Sequence, residues 1–288
     1  MTSTALNLVP PSEDVLSDAE FDELRELIYG TFGVALDDTK RSLIVGRLYA
    51  VLRREGMSQF SEYISRVRRD PTGKLLSELV NRISTNHTFF NRESTHFDFF
   101  SRTALREVMQ ARQRRRSRDL RVWCAATSYG HEAYMLVMLM RQVLGTEYAA
   151  WDAGLLATDI NDEVLAVAKK GVYPAREAEE IPETLRNRYF SRQADGSFAA
   201  KPELRREITF RRFNLMNVTL PFRQPFDIIF CRNVMIYFDV DTKASLATRM
   251  YHFTQPGGYL FIGAAESLPI DRTPYKKVSP GIYQRARG

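Results

Sequence analysis

The sequence predicts an α/β domain built on a largely parallel sheet, preceded by a small all-helical domain and interrupted by an inserted antiparallel β-hairpin subdomain. Three observations carry this reading. From residue 15 to about 82, apolar residues recur at helical spacing between short loops, with no strand alternation. From Leu120 onward, short apolar strands alternate with helices: Leu120 to Ala125, Leu155 to Thr158, Ile208 to Phe210, Phe226 to Cys231 and Tyr259 to Ile262. Between about 173 and 210 the alternation breaks, and Tyr189-Phe190 and Phe198-Ala199 flank Asp195-Gly196, a short-hairpin signal.

In chain order, residues 1–14 contain Pro10-Pro11 and little periodicity, which predicts a mobile tail. Ser17 and Glu20 form a capping-box pattern before Phe21, Leu24, Leu27 and Ile28, the inner face of a first helix. Asp37 or Asp38 is placed to cap a second, with Ile44, Leu48, Val51 and Leu52 inward. Phe60, Tyr63, Ile64 and Val67 mark a third helix, and Leu75, Leu76, Leu79, Val80 and Ile83 a fourth. Residues 83–118 read as a linker and 119–288 as the second domain. Its segment Tyr134 to Leu144 is apolar nearly all round, as in a helix packed on a sheet, and Met135, Met138 and Met140 read as core filling.

The 288 residues carry 41 Lys+Arg against 35 Asp+Glu, with 44% hydrophobic and 11% aromatic residues, an ordinary globular balance that argues against disorder or a fibrous repeat. Cys124 and Cys231 lie far apart in apolar runs, which argues against a disulfide framework or thiolate zinc cluster. With no basic-then-apolar leader, this predicts a cytoplasmic location. Tyr134 to Met140 falls far below the roughly 20 residues that span a bilayer. The net charge of +6 suits an anionic partner but is too small to identify one. The run Arg112, Arg114, Arg115, Arg116 and Arg118 reads as a solvated helix end. Lys40, Arg47 and Arg54 recur every seven residues, a spacing that drifts only about 20° per step, and so form a basic stripe beside the apolar face of the second helix.

Chemistry is expected beyond the carboxyl ends of the strands, where doubly wound sheets bind ligands. The first strand runs into Ala125-Ala126-Thr127-Ser128-Tyr129-Gly130, small residues that let a ligand approach the backbone. The loop is not G-x-G-x-x-G, and no Gly-Lys-Ser/Thr follows, so dinucleotide and ATP phosphate sites lose support. The second strand ends at Asp159, placed to accept hydrogen bonds from the two hydroxyls of a ribose, although Asp159 also precedes a helix start. Asn233 and Tyr237 follow the fourth strand, where a nucleic-acid amino-methyltransferase would carry Asp/Asn-Pro-Pro-Tyr. No second His follows His131-Glu132 at ligand spacing, so no metal is expected.

The run Phe226-Asp227-Ile228-Ile229-Phe230-Cys231-Arg232-Asn233-Val234-Met235-Ile236-Tyr237-Phe238 closely resembles a signature of the chemotaxis receptor methyltransferases, the CheR family. The similarity extends in family order through Ser84 to Glu93, Arg121 to Ala126, Thr158-Asp159-Ile160, Phe213-Asn214-Leu215 and Gly263 to Ser267. It implies a class I S-adenosylmethionine-dependent methyltransferase (Rossmann-like) domain that forms glutamyl methyl esters on the cytoplasmic helices of chemoreceptors. By the same resemblance, Asn86, Thr88 and Arg92 reach the cofactor from the linker, Glu132 meets its methionine portion and Asp159 its ribose. Asn214, Leu215, Asn233 and Val234 complete the pocket, Arg92 and Tyr237 lie next to the transferred methyl group, and the active site falls between the domains. The helical domain, with Lys40, Arg47 and Arg54, reads the acidic receptor surface.

Two departures from the family pattern matter. The loop usually reads Gly-Glu-Glu-Pro-Tyr, whereas this chain has Gly130-His131-Glu132-Ala133-Tyr134. The segment around Asp195-Gly196 is short compared with relatives that hold a receptor's C-terminal pentapeptide, so no strong tether binding is expected. The rival readings are a catalytically weakened cofactor- and receptor-binding module and a nucleic-acid methyltransferase.

Overall fold

The computed structural model describes residues 16–84 and 86–287; the tail expected over residues 1–14 lies outside them. The chain divides into two compact units, residues 1–85 and 86–288. The first contains α1 (Asp18–Phe32), α2 (Arg41–Arg54), α3 (Phe60–Arg69) and α4 (Lys74–Ile83). The capping box forms as the sequence requires: the Ser17 hydroxyl accepts from the Glu20 N–H at 3.3 Å, and the Glu20 carboxylate accepts from the Ser17 N–H at 3.0 Å. Leu24, Ile28, Leu48, Phe60, Tyr63, Ile64 and Leu79 are all fully buried, so the apolar faces read from periodicity close on one another. Asp37 and Asp38 do not cap α2. They open a 3₁₀ turn, Asp38–Lys40, in which Asp37 accepts from the Thr39 hydroxyl and Asp38 pairs with Arg25 at 2.6 Å.

The second unit begins with α5 (Ser94–Phe99), a π turn (Phe100–Ala104) and α6 (Leu105–Arg114). Phe97, Phe100, Leu105 and Val108 on this continuous helical stretch belong to the core of the sheet domain. Then follow β1 (Asp119–Ala125), α7 (His131–Leu144), β2 (Asp152–Asp159) and α8 (Asp162–Lys170). The insertion comprises β3 (Val172–Tyr173), α9 (Ala175–Ala178), α10 (Glu183–Tyr189), β4 (Phe190–Arg192), β5 (Phe198–Ala200) and α11 (Pro202–Arg205). The chain returns to the main sheet as β6 (Ile208–Arg212), β7 (Phe226–Phe230), α12 (Val240–His252), β8 (Thr254–Phe261), β9 (Lys276–Ser279) and β10 (Ile282–Gln284).

The main sheet has the order β6-β2-β1-β7-β8-β10-β9, parallel from β6 through β8, with β10 antiparallel to β8 and β9 antiparallel to β10. The chain moves outward from β1 through β2 to β6, then restarts on the other side of β1 with β7. That reversal opens a crevice beyond the carboxyl ends of β1 and β7. Alternate residues Leu120, Val122 and Cys124 of β1 join the core that includes α6 and α7, whose Met135, Met138 and Met140 are 0 to 1% exposed. Phe230 and Phe261, paired across β7 and β8, stack with centroids 4.3 Å apart and hold the two strands in register. Trp123 points to the opposite face and donates its indole N–H to the Thr158 hydroxyl at 2.9 Å, tying β1 to β2 just before their ends.

The insertion is a three-stranded antiparallel sheet, β3-β5-β4, and its hairpin turns through Gln193–Ser197 with Gly196 at φ +84°. It is clamped to the start of α7 by two contacts. Tyr173 donates its hydroxyl to the Tyr129 carbonyl at 2.8 Å, and the buried His131 contacts Glu177 through Nε2 at 3.0 Å while packing on the rings of Phe90 and Tyr173. Histidine at this position, where the family pattern has a glutamate, is therefore a packing group with one polar contact to the insertion.

Burial lowers the His131 pKa, outweighing the opposing pull of the Glu177 carboxylate, and so favours the neutral ring in the fold. A base with a depressed folded pKa stabilises fully above its unfolded value and loses that contribution as pH falls through it. His96 is lowered in the same direction by burial and by the charge of Arg232. Wild type and His131→Gln should therefore give unfolding free energies that diverge as pH falls below about 6.5, by up to ~1.4 kcal/mol per pH unit for one proton. Denaturant melts between pH 5 and 7.5 measure this, and parallel profiles would contradict it.

Candidate functional site

The loop after β1 turns sharply because Ala126, Ser128 and Gly130 all adopt positive φ, at 60°, 51° and 90°. Glycine is required at 130: a Cβ there would lie 2.8 Å from the Ala168 Cβ and 3.1 Å from the Tyr173 hydroxyl. The loop is held onto β2 by two bonds. Thr127 N–H donates to the Thr158 carbonyl at 2.8 Å, and Ser128 N–H donates to the Asp159 carboxylate at 2.8 Å. The other Asp159 oxygen accepts from Asn161 N–H at 3.0 Å. Burial raises the Asp159 pKa, and the backbone N–H donors of Asn161, Ser128 and Ile160 oppose that shift. Helix α8 is capped by Asn161 instead, whose side chain accepts from Glu163 and Val164 N–H. Asp159 thus fastens the end of β2 to the β1 loop and keeps unused lone pairs.

Neighbouring segments converge on this point. Phe213 N–H donates to the Asp159 carbonyl at 2.8 Å, which sets Asn214 and the buried Leu215 beside the end of β2; the Asn214 side chain accepts from Met216 N–H. The Ser128 hydroxyl reaches the Asn86 carbonyl at 3.4 Å. Thr88, half-buried, lies between Asn86 and the turn that carries Arg92. Arg92 donates to the His87 carbonyl at 2.8 Å and lies 5.9 Å from the Phe89 ring centroid; among the described residues it makes no ion pair.

Beyond β7 the centre is Arg232, whose side chain is 2% exposed. It donates to the Glu132 carboxylate at 2.7 Å and to the Arg92 carbonyl at 2.6 Å, and lies 3.1 Å from the Glu93 carboxylate. Glu132, in the first turn of α7, also accepts from the Cys124 thiol at 3.2 Å. Burial pushes the Glu132 pKa up, and the Arg232 charge opposes it. At Glu93 burial acts upward too, but the Asn233 amide, the Arg232 charge and Ala264 N–H outweigh it and lower the pKa. Asn233, at φ 56°, donates its side-chain amide to Glu93 at 3.0 Å and its backbone N–H to Glu266 at 2.9 Å. Glu266 also accepts from Ile236 N–H at 2.9 Å and from Gly263 N–H, fixing the 3₁₀ turn Met235–Tyr237 that carries the half-buried Tyr237. A Cβ on Gly263 would meet the Asn233 amide nitrogen at 2.5 Å, so glycine is needed there for close approach.

Asn86, Arg92, Glu132, Asp159, Asn214, Leu215 and Asn233 therefore lie along hydrogen-bonded segments around the ends of β1, β2 and β7, with Val234 and Tyr237 following Asn233. Arg232, Glu93 and Glu266 were not picked out as site residues, although all three stand in the quoted motifs. For Arg232 a signal was available: a charged side chain directly after an apolar strand, with no carboxylate within four residues of it in sequence, must find distant partners. The donor set fits a nucleoside bearing a charged amino acid, because Asp159 offers lone pairs to a diol and Glu132 stands at the helix start. Among the described residues there is no group of three or more His, Cys, Asp or Glu placed to hold a metal ion.

In the helical unit, Lys40 is exposed at the end of the 3₁₀ turn. Arg47 turns to the carbonyls of Ile83 and Ser84, capping the end of α4. Arg54, with its side chain 51% exposed, pairs with Glu55 and Glu78 at 3.0 and 2.8 Å. The structure thus shows two of the three stripe cations occupied within their own unit.

Residues 86–283 match the CheR methyltransferase, SAM binding domain, and residues 19–84 match the CheR methyltransferase, all-alpha domain. A chemotaxis protein methyltransferase of Borreliella burgdorferi is 34% identical over 266 residues, covering 92% of this chain and 94% of its own. One of Escherichia coli is 35% identical over 268 residues, covering 92% and 90%. Chemotaxis protein methyltransferase 2 of Pseudomonas aeruginosa is 33% identical over 288 residues, covering 99% of both chains. With both domains matched in order and these relatives aligned almost end to end, the chain belongs to the CheR family of S-adenosylmethionine-dependent methyltransferases.

Proposed function

We propose that this methyltransferase esterifies glutamate side chains on the cytoplasmic helices of chemoreceptors. The observation that carries the reading is the junction of Asp159, Glu132, Asn233 and Arg92 around the strand ends of a chain whose relatives are named chemotaxis protein methyltransferases. In this reading Asp159 takes the ribose hydroxyls, Glu132 the methionine portion, and Asn214, Leu215, Asn233 and Val234 complete the pocket. Asn86, Thr88 and Arg92 close it from the segment before α5. S-adenosylmethionine supplies an electrophilic methyl group on a sulfonium centre.

A glutamate carboxylate, with a reference pKa of about 4.3, is ionised at neutral pH, so the protein needs no general base. Its task is to align the acceptor oxygen and to exclude water from it. Arg92 orients the acceptor carboxylate, and the Tyr237 hydroxyl fixes the geometry on the other side. Arg92 is held by a neutral carbonyl and an aromatic ring, which leaves guanidinium donors for an incoming acid.

The helical unit reads the acidic receptor surface; of the three stripe cations, Lys40 and the outward part of Arg54 are accessible and Arg47 is the anchor of α4. The insertion does not hold a receptor's terminal pentapeptide strongly: its edge strands β3 and β4 are two and three residues long, short edges for strand addition.

Incubation with methyl-labelled S-adenosylmethionine and the host's receptor cytoplasmic fragments tests the reaction class. Label released from protein as methanol in alkali is expected; alkali-stable label, or label in nucleic acid, would refute it. At saturating cofactor, Arg92→Ala should lower kcat on the order of 100-fold and Tyr237→Phe about tenfold, the range for lost positioning and transition-state hydrogen bonds. Lys40→Glu should reduce receptor methylation more than cofactor affinity, and equal losses would contradict the docking role. A pentapeptide tether should show no micromolar binding in calorimetry.

A further inference from the structure

The turn bearing Arg92 has an unusual backbone. Asn91 and Glu93, on either side, both adopt left-handed conformations at φ 58° and 55°; asparagine enters this region readily, but a glutamate does so only with help from its surroundings. That help comes from the far side of the sheet domain's sequence. Arg232 donates to the Arg92 carbonyl at 2.6 Å and lies 3.1 Å from the Glu93 carboxylate, while Asn233 and Ala264 N–H donate to the same carboxylate at 3.0 and 2.8 Å. The Arg232 guanidinium packs over the Phe97 ring at 5.3 Å, and its remaining anionic partner is Glu132 at 2.7 Å.

We propose that Arg232 is a positioning residue for the methyl transfer, pinning the Arg92 turn to the start of α7 and sequestering Glu93 from Arg92. The inference rests on the reading above that Arg92 orients the acceptor carboxylate. Two physical consequences follow from one buried guanidinium. Its planar fork reaches a carboxylate on α7 and a main-chain carbonyl on the Arg92 turn, so the cofactor-side helix and the acceptor-side turn share one rigid support. It also sets its single positive charge between the two nearby acids, Glu93 and Glu132. Glu93, adjacent in sequence to Arg92, would otherwise compete with the substrate for the Arg92 guanidinium. The absence of any Arg92 ion pair among the described residues is the state this arrangement maintains. A lysine at 232 would keep the charge but, as a point donor on a flexible stem, would not hold the three partners in one plane.

A double-mutant cycle on kcat, at saturating S-adenosylmethionine and receptor fragment, separates positioning from general structural support. Arg232→Lys is expected to lower kcat about 30-fold in the wild-type background and less than about threefold in the Arg92→Ala background, because the function it supports is already gone. Equal fold-losses in both backgrounds would overturn the inference and leave Arg232 a structural residue. No loss from Arg92→Ala alone would overturn the Arg92 reading and this inference with it. Should Arg232→Lys fail to fold, Glu93→Gln, which loosens the same turn and spares the Arg232–Glu132 pair, enters the same cycle. Its expected loss is about fivefold, confined to the background that retains Arg92.

Discussion

A positive charge buried at the end of a central strand is tolerable only if other segments bring it acceptors, and Arg232 at the end of β7 imposes that requirement here. With its side chain 2% exposed, it draws in Glu132 from α7, and Glu93 and the Arg92 carbonyl from the segment before α5. Removing one member of such a set would strand a charge out of water, a cost typically of about 3–5 kcal/mol. The three segments therefore stand or fall together. The same constraint recurs one layer out: Glu266 gathers the N–H groups of Asn233, Ile236 and Gly263, and so carries the turn with Tyr237. Polar side chains, each bonded to side chains or backbone of another segment, do at this end of the sheet what apolar packing does in its middle.

Most of the fold was legible because its signals are local. The four helices of the first unit declare themselves by 3.6-residue periodicity, and the strand–helix alternation after Leu120 announces an α/β domain on a largely parallel sheet. The elements that escaped are short and depend on partners. Strands β3, β9 and β10, of two, four and three residues, have no apolar run of their own and exist because β5, β10 and β8 respectively offer them open edges. Asp37 and Asp38 looked like caps for α2, but a 3₁₀ turn intervenes and their carboxylates find Thr39 and Arg25.

The site divides in the same way. Asp159 and Asn233 could be placed by counting from strand ends, since the sheet topology makes those ends converge, whereas Glu132 was singled out through the family resemblance. The basic stripe could also be counted, but counting cannot show that Arg47 bends back to α4 or that Glu78 reaches Arg54. Side-chain partners 24 to 37 residues away are a tertiary outcome. Likewise, His131 departs from the family's glutamate, and only packing against Phe90, Tyr173 and Glu177 shows that the position serves the insertion's attachment. The retained acid, Glu132, is the one tied to Arg232.

This distribution of charge bears on how an arginine can assist a carboxylate nucleophile without disabling it. A tight ion pair would stabilise the acceptor's ground state more than a transition state in which its charge is being lost, and would slow attack. An arginine already committed to a buried acid would not engage the acceptor at all. Arg92 avoids both extremes: it is half-buried and hydrogen-bonded to the neutral His87 carbonyl, while the neighbouring Glu93 carboxylate lies 3.1 Å from Arg232. Its remaining donors can direct a carboxylate while solvent screening keeps the attraction moderate. In the proposed reaction the product, a neutral ester, would lose most of that attraction, so a feature that aligns the acid would also favour release of what it becomes. Each such proposed event would remove one negative charge from a receptor helix and lower repulsion within its bundle, a local electrostatic change able to bias a signalling equilibrium.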